Sequence, residues 1–139
     1  MIYPVEDIKK AYYAALNGNI SYAGVNIPVY SIAPKSTDPP YIILGTTSLI
    51  EVGTKSDFLY DVTLFIEVVT TDQSKAEMLS ITNQILTILK PTTGSVLDLE
   101  NYTMVNLILD GIEDSVQLTD TKEFESITNT IRLTQLIDE

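Results

Sequence analysis

Carboxylates are the most abundant titratable side chains in this sequence, so any catalysis would be built mainly on them. The 139 residues include 19 Asp and Glu but no His and no Cys. The absence of His removes both the commonest general base and the commonest ligand of transition metals. The absence of Cys excludes a disulfide framework and a thiolate metal site. Catalysis would have to use carboxylates, Lys, Tyr or Ser.

Paired carboxylates catalyse glycoside hydrolysis, and Glu51, Asp61 and Glu67 are the candidates for such a pair in this sequence. They lie on adjacent predicted strands, where they could converge on one site. Charged residues on the solvated face of a sheet give the same pattern far more often. We therefore favour a sheet surface over a hydrolase site.

Metal and phosphate sites are equally poorly supported. Glu113, Asp114 and Asp120 offer oxygen ligands for a hard cation but lack the spacing of a calcium loop. The segment Gly53 to Ser56 lacks the upstream glycine of a P-loop and precedes a strand instead of a helix. We expect a protein that is not an enzyme, that needs no cofactor, and that has no catalytic, cofactor-binding or metal-binding residue.

The charge of the chain also excludes a class of partner. The net charge is −11 and the pI is near 4.2, which argues against a basic nucleic-acid platform. The last third has a local balance of −8, because Lys122 and Arg132 stand against ten acidic residues: Asp98, Glu100, Asp110, Glu113, Asp114, Asp120, Glu123, Glu125, Asp138 and Glu139. This pattern is typical of a solvated face or of a surface that repels nucleic acid.

Neither a membrane span nor a secretory signal is expected. No apolar run approaches the ~18 residues that a membrane helix needs. The start, Met1 to Pro4, lacks the basic and apolar regions of a signal peptide. We expect a protein of a cytoplasm-like compartment.

A strand followed by a long helix forms the centre of the predicted fold. Even positions from Phe58 to Val68 are apolar, which is the period of a half-buried strand. Ser74 and Glu77 form a capping box that starts a helix, and Pro91 ends it. The residues predicted to share its apolar face are Met78, Leu79, Ile81, Ile85, Leu86, Ile88 and Leu89.

The remaining elements are predicted to pack around this unit. Before the central unit we predict a helix over Val5 to Leu16 stopped by Asn17 and Gly18, a hairpin turning at Ala23 and Gly24 whose second strand continues over Val29 to Ser31, and a strand over Tyr41 to Val52 with a bulge or close backbone approach after Gly45. After it we predict a strand over Tyr102 to Ile112 with Thr103, Val105, Leu107 and Leu109 on one face. A hairpin loop over Asp114 to Glu123 then leads to a strand over Phe124 to Ile137 with Ile127, Ile131 and Leu133 inward. The order α-β-β-β-β-α-β-β indicates an α+β protein with two layers. We expect one domain, residues 1–139, with a mainly antiparallel sheet and helices on one face.

Several residues are candidates for contact with a subunit or partner. Phe65, Met104 and Ile108 are apolar side chains at the nominally polar positions of their strands. Burial under the N-terminal helix or hairpin explains them as well as a subunit interface does. The other candidates are Pro34, Lys35 and Asp38, in an irregular loop that could be a contact arm, and Lys55, in the turn before the central strand.

The order and spacing of these elements resemble the tail terminator, or tail completion, proteins of long-tailed bacteriophages. The resemblance runs from a short N-terminal helix through Pro40 to Leu44, Gly53 to Lys55, the strand Asp61 to Val69 and the helix Ala76 to Leu89, then into the paired strands around the Asp114 to Glu123 loop. It covers nearly the whole chain, although no single motif in it is specific. The acidic final third and the absence of Trp and His depart from the usual pattern of the family.

The resemblance implies a homohexameric ring at the head-proximal end of the virion tail, assembled in the host cytoplasm. Such a ring caps the tail tube, stops its polymerisation and joins the tail to the head-completion or connector protein. DNA would pass through it without specific binding, and no membrane is involved. An acidic lumen would let DNA slide, and we place part of that charge at Glu113, Asp114, Asp120 and Glu123.

Other functions fit the same residues. The chain could be another neck or tail-tube component, since small α/β virion subunits resemble one another. It could also be a stand-alone cytoplasmic module that binds a ligand or peptide at an edge strand such as Ile27 to Ser31. A carboxylate-dependent hydrolase is the remaining alternative.

Overall fold

A computed structural model of the chain describes residues 3–32, 34, 36–53, 59–71, 75–90, 97–122 and 124–138. Its elements are α1 (Pro4–Leu16), β1 (Ser21–Tyr22), β2 (Val25–Asn26), β3 (Val29–Tyr30), β4 (Tyr41–Glu51), β5 (Leu59–Thr70), α2 (Ala76–Leu89), β6 (Thr103–Leu118) and β7 (Phe124–Asp138). The predicted α+β class and order of elements are confirmed. The continuation of the first hairpin over Val29–Tyr30 is a separate short strand.

Five strands form one sheet in the order β3-β4-β5-β7-β6, and β1 and β2 pair only with each other. All pairs in the large sheet are antiparallel except β3 with β4. The central position of β5 is as predicted, because β4 and β7 flank it along its length. The register shifts between Thr46 and Ser48, which confirms the bulge expected after Gly45.

Both helices cover the same face of this sheet. The buried apolar residues of β5 are those at even positions, such as Leu64 and Ile66, and their partners on β7 are the buried Leu133 and Ile131. Two hydrogen bonds connect this face to the helices: Gln135 of β7 donates to the Tyr12 hydroxyl of α1, and Asn129 of β7 contacts the Thr82 hydroxyl of α2. The opposite face, which we call the open face, has no described helix over it.

The N-terminal helix is positioned by local signals and by one buried carboxylate. Pro4 occupies the first turn, where its missing N–H is not needed, and Glu6 and Asp7 lie at the positive end of the helix. The helix ends at Leu16, as predicted, with Asn17 as its C-cap, and Gly18 follows with a positive φ of 81°. Asp7 is buried and accepts two hydrogen bonds from Asn101, so α1 is tied to the segment that enters β6.

The second helix lies antiparallel along β6. The Nζ of Lys75, before the helix, is 3.6 Å from Asp114 Oδ2, and Lys90 Nζ, after it, donates to the carbonyl of Leu107. The ~22 Å between these two lysines along a helix matches the ~23 Å between Leu107 and Asp114 along a strand. One edge of α2 therefore faces β6 along its whole length.

The start and the apolar face of α2 follow the prediction in part. Its N-cap residue is Lys75, with a positive φ of 64° and no side-chain cap, and Ser74 of the expected capping box lies outside the described residues. Met78, Ile81, Ile85 and Leu89 are buried as expected. The inward placement of Leu79 is wrong, because this side chain lies at the margin of a wide apolar face and is exposed.

The two C-terminal strands form a longer hairpin than the sequence suggested. Pairing of β6 with β7 continues through Glu113 with Thr130 and Val116 with Ile127, so the predicted loop over Asp114 to Glu123 is wrong for residues up to Leu118. The polar composition of this segment is typical of a loop, but here the polar side chains occupy exposed positions of an edge strand. The turn follows at 119–122, where the amide of Lys122 donates to the carbonyl of Thr119 at 2.8 Å.

Candidate interaction surfaces

The outer edge of β6 is the largest unpaired backbone surface in the described part of the chain. Its 16 residues pair with β7 on one side, and no described strand pairs with the other side. Edge strands of soluble proteins are commonly protected by Lys or Pro. The sequence of β6 contains neither, but Asp110, Glu113 and Asp114 are charged and the pairing with β7 shifts at three places, which protects part of the edge. The regular stretch from Gly111 to Gln117 is a candidate contact for another strand or subunit.

Exposed apolar side chains accompany that edge, and Ile112 and Val116 among them lie on the helix side of the sheet, whereas Leu118 follows a register shift next to the turn. Leu79 is 59% exposed, Ile112 40%, Val116 50% and Leu118 54%; we call these four residues the β6 strip. Ile112 and Val116 pair with the buried Ile131 and Ile127, which shows that they lie on the helix-covered face beyond the margin of α2. Leu79 belongs to the α2 edge that follows β6. Asp114 lies on the same face between Ile112 and Val116, so the strip is an apolar border interrupted by one carboxylate.

Asp114 connects this border to α2. Besides the Lys75 ammonium, its carboxylate meets the side chain of Asn129, whose amide is 2.6 Å from the Thr82 hydroxyl. In the amide orientation that satisfies both groups, the Asn129 oxygen accepts a hydrogen bond from the Thr82 hydroxyl. The Asn129 nitrogen then donates to Asp114 Oδ1 at 2.9 Å. Asp114 therefore positions α2 beside the strip.

The open face is hydroxyl-rich and acidic. Glu67 and Glu113 both pair with Thr130, so the three side chains lie on one rung of the sheet. On the next rung the Arg132 guanidinium lies 5.6 Å from the centre of the Phe65 ring. Glu113, Phe65 and Arg132 line a shallow pocket of about 220 Å³ together with Asp110, Gly111 and Thr130. This face therefore presents carboxylates at regular sheet spacing.

A second concave surface lies beside α1, at the opposite side of the sheet. Its volume is about 620 Å³, and we call it the α1 groove; it is lined by Tyr3, Val5, Glu6, Lys9, Lys10, Tyr13 and Ser31. The rings of Tyr3 and Tyr13 are largely exposed. Lys10 is 3.2 Å from Glu6, and this contact raises the pKa of the lysine. Within the described residues, Lys9 forms no ion pair.

The apolar interface candidates have different environments. Met104 is buried in the core beside Tyr102, so its assignment to an interface is corrected to core packing. Phe65 is half-buried on the open face, and Ile108 is 50% exposed on β6. The expected common face of Thr103, Val105, Leu107 and Leu109 is wrong, because bulges between Met104 and Asn106 and between Leu109 and Gly111 shift the alternation. Val105 is exposed as a result.

The acidic candidates do not form one surface. Glu113 and Asp114 lie in β6, where consecutive side chains point to opposite faces. Glu113 is on the open face and Asp114 contacts α2. Asp120 is exposed in the turn, and Glu123 lies outside the described residues. The grouping of these residues in one loop is therefore wrong.

The polar interface candidates are described in part. Pro34 and Asp38 are exposed in the connection between β3 and β4, where the amide of Thr37 donates to the carbonyl of Pro34 at 3.1 Å. Lys35 and Lys55 lie outside the described residues.

The carboxylates considered for catalysis do not converge. Asp61 and Glu67 are on the open face, six positions apart on β5, or about 20 Å along a strand. Glu51 pairs with the buried Tyr60 and so points to the other face. In the described parts of the chain, no three Asp or Glu residues are grouped to hold a metal ion. The helices described are not long and apolar enough to cross a membrane.

Two of these surfaces were not predicted from the sequence. The β6 strip had a detectable signal, because Ile112, Val116 and Leu118 continue an even-numbered apolar pattern through the acidic segment. The α1 groove had none, since Tyr3, Tyr13 and Ser31 are brought together only by the packing of α1 near β3.

Comparison with known proteins gives a match at the level of the fold. No protein-family model matches the sequence, and no curated protein matches it. A chain in the solved structure described as "Virion of native gene transfer agent (GTA) particle" matches with a TM-score of 0.77 and 13% sequence identity, over 100% of this chain and 100% of that chain. The protein therefore shares its fold, from end to end, with a chain of that virion particle.

Proposed function

We propose that this protein is a structural component of a phage-like virion, and specifically a tail terminator. Its copies form a ring that caps the tail tube, stops tube polymerisation and joins the tail to the head connector. Two findings support the proposal: the shared fold with a chain of a virion particle, and the order of elements that resembles tail terminators.

The observation that carries the proposal is the unpaired edge of β6 with its apolar border. An unpaired edge strand with exposed apolar side chains such as Ile112 and Val116 is an association hazard for a protein that works alone, and the carboxylates of β6 offset this hazard only in part. It is suited to a subunit that is covered by a neighbour in its working state. A contact between two different surfaces repeats from copy to copy and closes into a ring when the rotation allows it.

We assign the lumen to the open face, in place of the hairpin turn. Asp61, Glu67, Asp110 and Glu113 are the carboxylates of this face, and Thr63, Thr130 and Thr134 lie between them. Phosphate groups are repelled by such a wall, so DNA passes without being held.

The remaining partners are the tail-tube protein and the head-completion or connector protein. Pro34 and Asp38 are exposed in the connection between β3 and β4. We propose this connection as a contact with one of these two proteins. The role is structural and not catalytic, in keeping with the separation of Glu51 from Asp61.

Tube assembly tests the function directly. Purified protein is added to its tail-tube protein during polymerisation, and tube lengths and ends are imaged by negative stain. We expect shorter tubes with six-fold rings at their ends. Val116→Asp should abolish this effect, whereas Val25→Asp, at an exposed position of β2, should not.

Two outcomes would contradict the proposal. Tubes of unchanged length, with the protein monomeric throughout, would exclude a terminator. Growth of tubes from this protein alone would identify it as a tube subunit instead.

A further inference from the structure

We infer that the α1 groove of one copy receives the β6 strip of the next copy. The inference rests on the proposed ring and goes further, because it names the two surfaces that join neighbouring subunits. The occupant of the groove is thus a second copy of this chain.

The position of the two surfaces is the first argument. β6 is the outer strand at one side of the sheet, and β3, followed by the groove residue Ser31, is the outer strand at the other. Each copy therefore has one of each surface, at opposite sides. A contact between them is head-to-tail and leaves the open face of every copy on the same side of the assembly.

The second argument is the match between apolar surfaces. The exposed tyrosine rings of Tyr3 and Tyr13 form apolar walls with a polar tip, which is the side-chain chemistry enriched in protein interfaces. The strip offers aliphatic side chains, of which Val116 and Leu118 extend furthest toward the turn. Covering both removes the exposed tyrosine rings of the groove and the exposed aliphatic side chains of the strip from water.

The third argument is charge. In a chain of net charge −11, the groove contains two cations, of which Lys9 has no ion pair within the described residues. Beyond the strip, Asp120 in the turn and Glu125 near the start of β7 are exposed carboxylates. Docking of the strip brings these carboxylates toward the lysines. Contact between two acidic surfaces of neighbouring copies would instead be repulsive.

Cysteine cross-linking tests the contact, because the chain has no cysteine of its own. We expect a mixture of Tyr13→Cys and Leu118→Cys proteins to form a disulfide dimer under oxidation. Either variant alone should stay uncross-linked, and the double variant should give a ladder up to the ring. Val25→Cys, exposed on β2, replaces Tyr13→Cys as the control and should give no cross-link with Leu118→Cys.

Native mass spectrometry of the same samples separates the two proposals. Rings without a cross-link between positions 13 and 118 would overturn this contact and leave the proposed function intact. The absence of any oligomer, with and without the tail-tube protein, would overturn both. A cross-link from position 13 to the tail-tube protein in place of a second copy would also overturn the contact.

Charge reversal provides a second readout. Lys9→Glu and Asp120→Lys should each weaken association about tenfold at low salt, because each places like charges together. Combining both reversals in one chain should restore association. Failure of the combined variant to recover, while both single variants fold normally, would contradict the pairing.

Discussion

Asn101 donates two hydrogen bonds to the buried carboxylate of Asp7, from its backbone amide at 2.8 Å and from its side-chain amide at 3.0 Å. The two residues are 94 positions apart in the sequence. They tie α1 to the segment that enters β6, so the α1 groove and the β6 strip are held in a fixed relation across the sheet. In the proposed ring, such a fixed relation between the two surfaces of each subunit would set the size of the assembly.

Removing the side chain of Asn101 should destabilise the fold. In Asn101→Ala, one oxygen of the buried Asp7 loses its partner, and we expect the free energy of unfolding to fall by about 1–3 kcal/mol. Urea unfolding followed by circular dichroism measures this. Asn83→Ala, at an exposed position of α2, is the matched control and should stay within about 0.5 kcal/mol. Equal stability of the two variants would show that the Asp7 contact contributes nothing.

The buried Tyr12 should make the protein sensitive to alkali. Burial raises the pKa of Tyr12 well above its ordinary value of 10.0, and its hydroxyl accepts a 2.7 Å hydrogen bond from Gln135. Above pH 10 the unfolded chain loses this proton while the folded chain keeps it. The free energy of unfolding should therefore fall as the pH rises, by up to about 1.4 kcal/mol per pH unit from this group.

The variant Tyr12→Phe isolates this contribution from the other groups that titrate in alkali. It should be less stable at neutral pH, because Gln135 loses its hydrogen-bond partner. Between pH 10 and 11.5 its stability should fall less steeply than that of the parent. Parallel curves in urea titrations at each pH would contradict the assignment.

The polar contacts between α2 and the C-terminal hairpin should be unequal in strength. Asn129 is buried, and its contact with Thr82 is 2.6 Å, so Asn129→Ala should cost about 1–3 kcal/mol. Lys75 and Asp114 are 3.6 Å apart but largely exposed, so Lys75→Ala should cost less than about 1 kcal/mol. Thermal or urea unfolding of the two variants checks the order. A larger loss for Lys75→Ala would mean that the exposed pair holds the helix in place.

The sequence was sufficient to predict the elements whose side chains alternate regularly between core and solvent. β5 is such a strand, and the inward positions of Ile127, Ile131 and Leu133 on β7 were also correct. The predicted helices agree with α1 and α2 because proline, acidic residues and apolar spacing all mark them.

The failures in β6 have physical causes that one sequence does not reveal. The bulges near Met104 and Leu109 change which side chains face the core, and they depend on pairing with β7. The acidic segment after Ile112 is strand because β7 pairs with it, although its composition is that of a loop. The α1 groove was missed because it depends on tertiary packing of residues that are distant in the sequence.

The acidic open face should determine how an assembled ring treats DNA. Glu67→Lys combined with Glu113→Lys places two cations on one rung of that face. Rings of this variant should retain double-stranded DNA, and the retention should fall steeply as salt is raised. The charge-matched control combines Glu51→Lys, whose side chain points to the opposite face of the sheet, with Asp98→Lys, at an exposed position outside the sheet. Equal DNA retention by both variants would argue against the open face as the lumen wall.

Met104 and Ile108 provide a matched pair that separates folding from association on β6. Met104 is 4% exposed and belongs to the core, so Met104→Ala should lower the free energy of unfolding by about 2–5 kcal/mol. Ile108 is half exposed, so Ile108→Ala should change that energy by about 1 kcal/mol or less. If a neighbouring subunit covers this edge, Ile108→Ala should nevertheless weaken ring formation in sedimentation velocity. A variant that associates like the parent would restrict the subunit contact to the helix side of β6, where the strip lies.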